Sequence, residues 1–318
     1  MVPDIQLLSS PGWKDYELLD SGDGLKLERF GPYTFVRPEV QALWTRSLPA
    51  AAWDSAHAVF QPTGEESGGH WNFKKRVAER WEMSYDLTPA PLGPSISEPG
   101  NGGRQGGLKF WVMTTPGRHL GVFPECAAHW DWMTEKIKNE KQKAKNEIQV
   151  LNLFGYTGLA TLACAAAGAR VTHVDASKKS VAWARENASL SGLAERPIRW
   201  IVDDALKFVQ REARRGIEYD GIYLDPPKFG RGPKGEVWEV YKSLPELLRA
   251  CREVLSEHPF FVVLTVYAVK LPAVHVYETL GEVMKGLGGQ MECGELVTVE
   301  KSARRVLSQA VYSRWENL

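Results

Sequence analysis

The spacing of apolar residues changes character along the chain. From about Ile148 onward, short apolar runs alternate with longer stretches whose apolar residues recur at helical spacing. "IQVLNLFG" reads as a buried strand, and "TGLATLACAAAGA" after it as a helix whose small residues suit close packing on a sheet. The alternation continues through the strand "RVTHVDAS", the helix "KKSVAWARENASLSG", the strand "IRWIVDD", the helix "ALKFVQREARR" and the strand "YDGIYLD". A helix near "WEVYKSLPELLRACREVLS" and the strand "FFVVLTVYA" follow, so five parallel strands with helical crossovers are predicted. After one more helix, "AVHVYETLGEVMKGLG", the runs "QMECGELVTVE" and "RRVLSQAVYSRW" predict a terminal antiparallel hairpin. The expected fold is α/β and Rossmann-like, with a seven-stranded, mostly parallel sheet.

Up to about Pro116 the pattern differs. Aromatics, Gly and Pro are frequent, and strand-like pieces such as "GLKLERFGPYTFVR" and "RWEMSYDL" are short, which predicts a small β-rich α+β domain. The expected division is residues 1–116, a small domain for RNA or another substrate, and residues 117–318, the catalytic domain. "PLGPSISEPGNGGRQGG" has too little apolar content to pack and is expected to be mobile. "MTEKIKNEKQKAKNEIQ" predicts a charged surface helix leading into the larger domain, its lysines forming a solvated face.

Composition sharpens this picture only in places. Hydrophobic residues make up 43% of 318, enough for two folding units. Basic and acidic residues both total 39, so a nucleic-acid surface would have to be a local patch. Cys126, Cys164, Cys251 and Cys293 are far apart, with no CxxC spacing and no signal peptide, which predicts a reducing cytoplasm and no structural metal. No apolar run approaches the roughly 20 residues of a membrane span, so a soluble monomer or homodimer is expected.

Candidate chemistry sits at the predicted strand ends. In "LNLFGYTGLAT" the first strand ends at Asn152 to Phe154, and Gly155 and Gly158 let the backbone turn tightly against a ligand. The G-x-G-x-x-G of dinucleotide enzymes is missing, which removes the close approach a pyrophosphate needs. Asp175 ends the second strand, where a carboxylate can take both hydroxyls of a ribose. Asp203, Asp204 and Ala205 end the third, placing an acceptor where an adenine amino group would lie. Asp225 ends the fourth and is followed by Pro226 and Pro227, which fix the backbone and leave carbonyls free to accept. Each feature alone could be structural, as a turn glycine or a helix cap. Together they describe an adenosine grip without a phosphate cradle, the pattern of an S-adenosylmethionine site.

"LNLFGYTG", "VDAS" with "ARENASLSG" behind it, "DDA" and "LDPPKFG" resemble the class I methyltransferases, specifically the bacterial RlmI/RlmK-like group that methylates large-subunit ribosomal RNA. The resemblance runs from about Asp20 to the C-terminus. It implies that Phe154, Gly155, Tyr156, Thr157 and Gly158 wrap the methionine end of the cofactor, that Asp175 holds the ribose, and that Asp204 meets the adenine. Asn152, Ala176, Ser177, Asn187, Asp203, Ala205 and Asp225 complete the implied cofactor set. The family's "G-F-F-x-D-x-R" stretch corresponds here to "GVFPECAAHW", which lacks the Arg and implies cofactor contacts for Phe123 and Glu125. The PUA module at the N-terminus of many relatives is not expected in this chain.

The acceptor atom follows from which nucleophiles are present. Methylating a pyrimidine carbon needs a cysteine thiolate, and relatives that do so carry a "T-C-S-C" stretch after the fifth strand. This chain has "LTVYA" there, and Cys126 reads as a small buried hydrophobe. A nitrogen carries its own lone pair and needs mainly alignment, which Asp225 and the Pro226 carbonyl can give. The catalytic set is then Asp225, Pro226, Pro227, Lys228 and Phe229, with Phe229 a candidate for stacking on a flipped base and Lys228 either a phosphate contact or a solvated cation. In "HWNFKKRVAERW", Trp71, Phe73, Lys74, Lys75 and Arg76 could meet stacked bases and phosphates, or form a hairpin with a basic face. "RGPKG" reads as a flexible basic loop able to close over the target. The leading expectation is an S-adenosylmethionine-dependent methyltransferase acting on a nucleobase nitrogen in RNA. A small-molecule or protein acceptor, and a degenerate RNA-binding protein, remain open, whereas a nicotinamide dehydrogenase is disfavoured by the missing glycine fingerprint.

Overall fold

The computed structural model describes residues 2–10, 12–63, 68–87, 107–143, 147–267 and 270–317. Its N-terminal elements are β1 (Ile5–Ser9), β2 (Tyr16–Gly22), β3 (Leu25–Phe30), β4 (Tyr33–Pro38), α1 (Ala50–Asp54), β5 (Ala58–Pro62), β6 (Gly69–Phe73), β7 (Trp81–Tyr85) and β8 (Leu108–Val112). Strands β2 to β6 form a five-stranded sheet in chain order, and β7 and β8 form an antiparallel hairpin. Residues 91–107, expected to be mobile, lie outside the described residues except for Gly107.

After a 3-10 turn at Pro124–Cys126 come α2 (Ala127–Lys143), β9 (Gln149–Leu153), α3 (Leu159–Ala167), β10 (Arg170–Asp175), α4 (Lys178–Leu190), β11 (Ile198–Val202), α5 (Ala205–Arg214) and β12 (Gly221–Leu224). The chain then runs through β13 (Phe229–Arg231), β14 (Val237–Glu239), α6 (Val240–Glu253), β15 (Phe261–Val266), α7 (Ala273–Met284), β16 (Gln290–Val299) and β17 (Val306–Glu316). The large sheet has the order β1-β16-β17-β15-β12-β9-β10-β11. From β15 to β11 its strands are parallel, and β17 runs antiparallel between β15 and β16, as the sequence predicts.

The sheet holds eight strands, which corrects the expected seven. The addition is β1, from the N-terminal side of the expected boundary, which pairs in parallel with β16 from Ile5↔Cys293 to Ser9↔Val297. Its sequence gave little signal because Ile5 and Leu7 are exposed, so no apolar face marks it. Gly294 admits it, since a Cβ there would overlap the backbone of Gln6.

Alternation along the central strands buries both faces of the sheet. Val150, Tyr223, Phe261 and Val263 join one core cluster with Trp130, Met133 and Leu162 of α2 and α3. Leu151, Leu153, Ile222, Leu224, Val262 and Leu264 join the other, with Phe208, Leu248 and Leu280 of α5, α6 and α7. Helix α2 starts six residues before the expected charged helix, at Ala127, and while Lys136, Lys138 and Lys141 stay off the core, its face of His129, Trp130, Met133 and Ile137 is buried.

The five-stranded sheet is tied to the β16–β17 connection by polar contacts. Ser21 Oγ donates to Glu300 and Ser302 Oγ donates to Asp20, whose carboxylate also accepts the indole N–H of Trp53. Within that sheet Arg37 grips Glu28 through two hydrogen bonds of 2.7 and 2.8 Å, both side chains being buried. Among the described residues no helix is long and apolar enough to cross a membrane.

Candidate active site

The carboxyl ends of β9, β10, β11 and β12 open into one cavity of about 810 Å³. Open parallel sheets place ligands at this edge, and the volume is that of a cofactor site. On its wall the structure brings together Asn152, Phe154, Gly155, Tyr156, Thr157, Asp175, Ala176, Ser177, Asp203, Asp204 and Ala205. Phe123, Asp225 and Pro227 line it as well.

The loop after β9 is held in a tight, strained shape. Phe154 and Tyr156 have φ of 58° and 47°, a left-handed conformation that costs a non-glycine residue about 1–2 kcal/mol. Hydrogen bonds offset that cost: Gly155 N–H donates to Val174 O, Tyr156 N–H to Asp175 Oδ2, and Thr157 Oγ1 to Gly121 O. Gly155 is needed for a different reason, because a Cβ there would overlap the imidazole of His173. That buried ring, held neutral with a pKa of about 3 by burial, meets Thr161 Oγ1 at 2.9 Å. Asn152 Nδ2 donates to the same Thr161 hydroxyl, leaving Asn152 Oδ1 buried without a partner.

Asp175 is set for a ligand rather than for an ion pair. Its two oxygens accept the backbone N–H of Tyr156 at 2.9 Å and of Ser177 at 2.8 Å, while burial raises its pKa. Further lone pairs on both oxygens can still accept hydroxyl hydrogens. Asp203 is engaged with Arg211 at 2.6 Å and with Asp204 N–H. Asp204 caps α5 by accepting Lys207 N–H through Oδ1.

Asp225 stands at the end of β12. Its Oδ1 is buried and lacks a hydrogen-bond partner, and Oδ2 lies 3.9 Å from Cys126 Sγ. Burial, with the negative charge of Glu125 added, pushes its carboxyl up to about 7. The Cys126 thiol is pushed well above its ordinary value, first by burial and then by Asp225 and Glu125. Pro227 O accepts the indole N–H of Trp238 at 2.7 Å, and the Trp238 ring lies 4.8 Å from that of Phe154. One tryptophan thus fastens both loops that flank Asp225.

Other expected site residues lie off the cavity wall. Gly158, Pro226, Lys228 and Phe229 do not line it, and Phe229 is 54% exposed on β13, paired with Glu239. Glu125 is off the wall and acts on Asp225 through its charge. Asn187 is fully buried, donating to Thr157 O and accepting Trp111 N–H, so it braces the cofactor loop from behind. Trp71, read as a possible base-stacking residue, packs its ring on Phe35 and Phe60 and donates its indole N–H to Thr115 O. Lys74 pairs with Asp54, and Lys75 donates to Ser55 O. "RGPKG" is the turn of the β13–β14 hairpin rather than a loose loop, and Arg231 and Gly232 reach the cavity wall.

The structure adds residues that strand-end reasoning did not single out. His119, Trp183, Trp238 and Tyr267 all line the cavity. Trp183 showed only as an apolar position on α4, and its indole donates to Trp111 O of β8. His119 carried no sequence signal, because it lies between the hairpin and the 3-10 turn, far from any strand end.

Comparison with known proteins gives a consistent setting. Residues 128–250 match the family model described as Conserved hypothetical protein 95. The chain is similar to the crystal structure of a SAM-dependent methyltransferase from Agrobacterium tumefaciens, with 45% identity, a TM-score of 0.86, and coverage of 99% of this chain and 95% of that one. It shares the fold of SMU.776, a structure complexed with SAH, at 17% identity and a TM-score of 0.67, covering 96% of this chain and 76% of that one. It is 36% identical over 213 residues to the ribosomal RNA large subunit methyltransferase K/L of Shewanella sp. strain ANA-3, which is 66% of this chain and 26% of that protein. The chain spans about a quarter of the length of the curated relatives it matches.

Proposed function

The chain belongs to the S-adenosylmethionine-dependent methyltransferases, and on that premise we propose that it methylates a nucleobase nitrogen in RNA, with large-subunit ribosomal RNA as the substrate class. The observation that carries the reading is Asp225, which lines the cavity at the end of β12 and whose carboxylate meets only a thiol, with Oδ1 buried and unpartnered. S-adenosylmethionine, when bound, supplies an electrophilic methyl group that an amine lone pair can take without prior activation.

The residues present fit that cofactor. Asp175 keeps lone pairs for two ribose hydroxyls, Asp204 has its second oxygen for the adenine amino group, and the loop from Phe154 to Gly158 is fixed tightly enough to hold the methionine end. The wall carries no glycine fingerprint for a pyrophosphate. Asp225 would then accept a hydrogen bond from the acceptor amine, orient its lone pair and stabilise the positive charge that develops on the nitrogen; the surplus proton would pass to that carboxylate, and S-adenosylhomocysteine would leave. The Cys126 thiol beside it is kept protonated, so the covalent adduct a pyrimidine carbon requires has no ready nucleophile. The names of the curated relatives support RNA as the acceptor.

The test is transfer of labelled methyl from S-adenosylmethionine to an unmodified large-subunit ribosomal RNA transcript, followed by nucleoside mass analysis. An N-methylated nucleoside is expected. A C5-methylated pyrimidine would overturn the nitrogen reading, and label found only in protein or small molecules would overturn the RNA reading.

A further inference from the structure

Resting on that reading, we propose that the acceptor ring stacks against an aromatic wall, one side of a slot, formed by His119, Phe123 and Tyr267 beside Asp225, and not against Phe229, the aromatic that follows the two prolines. The slot takes a planar, uncharged nitrogen heterocycle such as a nucleobase.

Three separate pieces of chain build it. His119 comes from the segment after β8, Phe123 is the residue before the 3-10 turn, and Tyr267 directly follows β15. The ring centroids of His119 and Phe123 are 4.9 Å apart, those of Phe123 and Tyr267 5.6 Å, and those of His119 and Tyr267 6.5 Å. All three residues line the cavity, and each is partly rather than fully buried. Phe123 also stands 5.9 Å from Tyr156, which makes it the partition between the cofactor loop and the slot.

The slot is next to the acid. Strand β15 is the neighbour of β12, with Leu264 opposite Leu224, so Tyr267 emerges alongside Asp225, and the Asp225 charge helps raise the Tyr267 hydroxyl. Cys126, three residues past Phe123, lies 3.9 Å from Asp225 Oδ2. An aromatic wall beside a carboxylate that lines the same cavity matches what a flipped base needs: a surface for one of its faces and an acceptor for its amino edge. His119 is held neutral, with a pKa of about 3, by burial and by the nearby Arg37, Arg118 and Lys26, so the slot presents π surface without a cation. Phe229 cannot share this role from where it stands, because Trp238 fixes Pro227 O and the chain turns away into the β13–β14 hairpin.

The experiment compares wild type with Tyr267→Ala, Tyr267→Phe and Phe229→Ala. Methyl transfer to large-subunit ribosomal RNA is measured alongside calorimetric affinity for S-adenosylmethionine. Loss of one stacking face should lower kcat/KM for RNA roughly 10- to 100-fold in Tyr267→Ala. Tyr267→Phe, which keeps the ring face, should recover most of that loss, Phe229→Ala should lose far less than Tyr267→Ala, and cofactor affinity should hold within about twofold in all, which also reports folding. Full activity in Tyr267→Ala, or an equal loss in Phe229→Ala, would overturn the slot. A second probe separates the slot from the RNA reading: quenching of 2-aminopurine riboside fluorescence on stacking, which Tyr267→Ala should abolish. If wild type methylates no RNA yet quenches this nucleoside through Tyr267, the slot stands and the RNA reading falls. Absence of Tyr267-dependent quenching would sink the slot whatever the RNA result.

Discussion

Oδ2 of Asp225 lies 3.9 Å from Sγ of Cys126, so the acid at the end of β12 has a thiol for its close neighbour. Among the described residues no cation pairs with it. The carboxyl is therefore pushed up to about 7 by burial and by the charge of Glu125. Its acceptor role requires the ionised form, so kcat should rise as pH passes about 7 and level off above it. Asp225→Asn should cost at least about 100-fold in kcat and leave S-adenosylmethionine affinity largely intact. A pH profile of single-turnover methyl transfer checks both.

The same shift has a stability consequence of opposite sign. A carboxyl whose folded pKa is raised binds its proton more tightly in the native state, so stability is lost as pH climbs from the unfolded value near 4 through about 7. Removing the charge should then stabilise the ligand-free protein at pH 8, by about 1–3 kcal/mol, and have little effect at pH 4. Urea unfolding of Asp225→Asn and wild type at the two pH values checks this, and a destabilised variant at pH 8 would contradict it.

Asp175 ties the loop after β9 to the start of α4, since it accepts the backbone N–H groups of Tyr156 and Ser177. Asp175→Ala should weaken S-adenosylmethionine binding about 10- to 100-fold by removing a charged acceptor and freeing the Tyr156 backbone. Calorimetric titration reads the loss. Equal loss in Asp175→Ala and Asp225→Asn would remove the division between holding the cofactor and orienting the acceptor.

At Gly155 the constraint is contact with a buried side chain. Gly155→Ala should destabilise by about 1–3 kcal/mol, because the new methyl overlaps the His173 ring. In a double-mutant cycle with His173→Ala the two changes should be non-additive, with part of the Gly155→Ala cost recovered. Strict additivity by denaturant unfolding would mean that the methyl is absorbed elsewhere.

The buried Glu28–Arg37 pair gives a third stability test. Arg37 and Lys26 hold the Glu28 carboxyl down at about 2 against the effect of burial. This contribution is complete above the ordinary carboxylate value near 4.5 and is lost as pH falls toward 2. Glu28→Gln should destabilise by about 3–5 kcal/mol at pH 7, since it leaves Arg37 charged and buried, and the difference from wild type should shrink at low pH.

By itself the sequence determined the catalytic half's strands and crossovers and the acids at their ends. Period-two and helical spacing are local, and in a parallel sheet local order dictates that successive strand ends share one edge; hence Asp175, Asp203, Asp204 and Asp225 were legible as one site. Only the tertiary structure decided which neighbours those acids meet. Cys126 reaches Asp225 across 99 positions and Ser21 reaches Glu300 across 279. The same holds for β1 in the large sheet, for Asn187 as an internal brace, and for which aromatics reach the cavity: Phe229 is exposed on β13, while His119 and Tyr267 line the cavity. The reason is physical: periodicity reports which face of an element is apolar, whereas the identity of the side chain across a cavity depends on how separately folded segments pack, which no local pattern encodes.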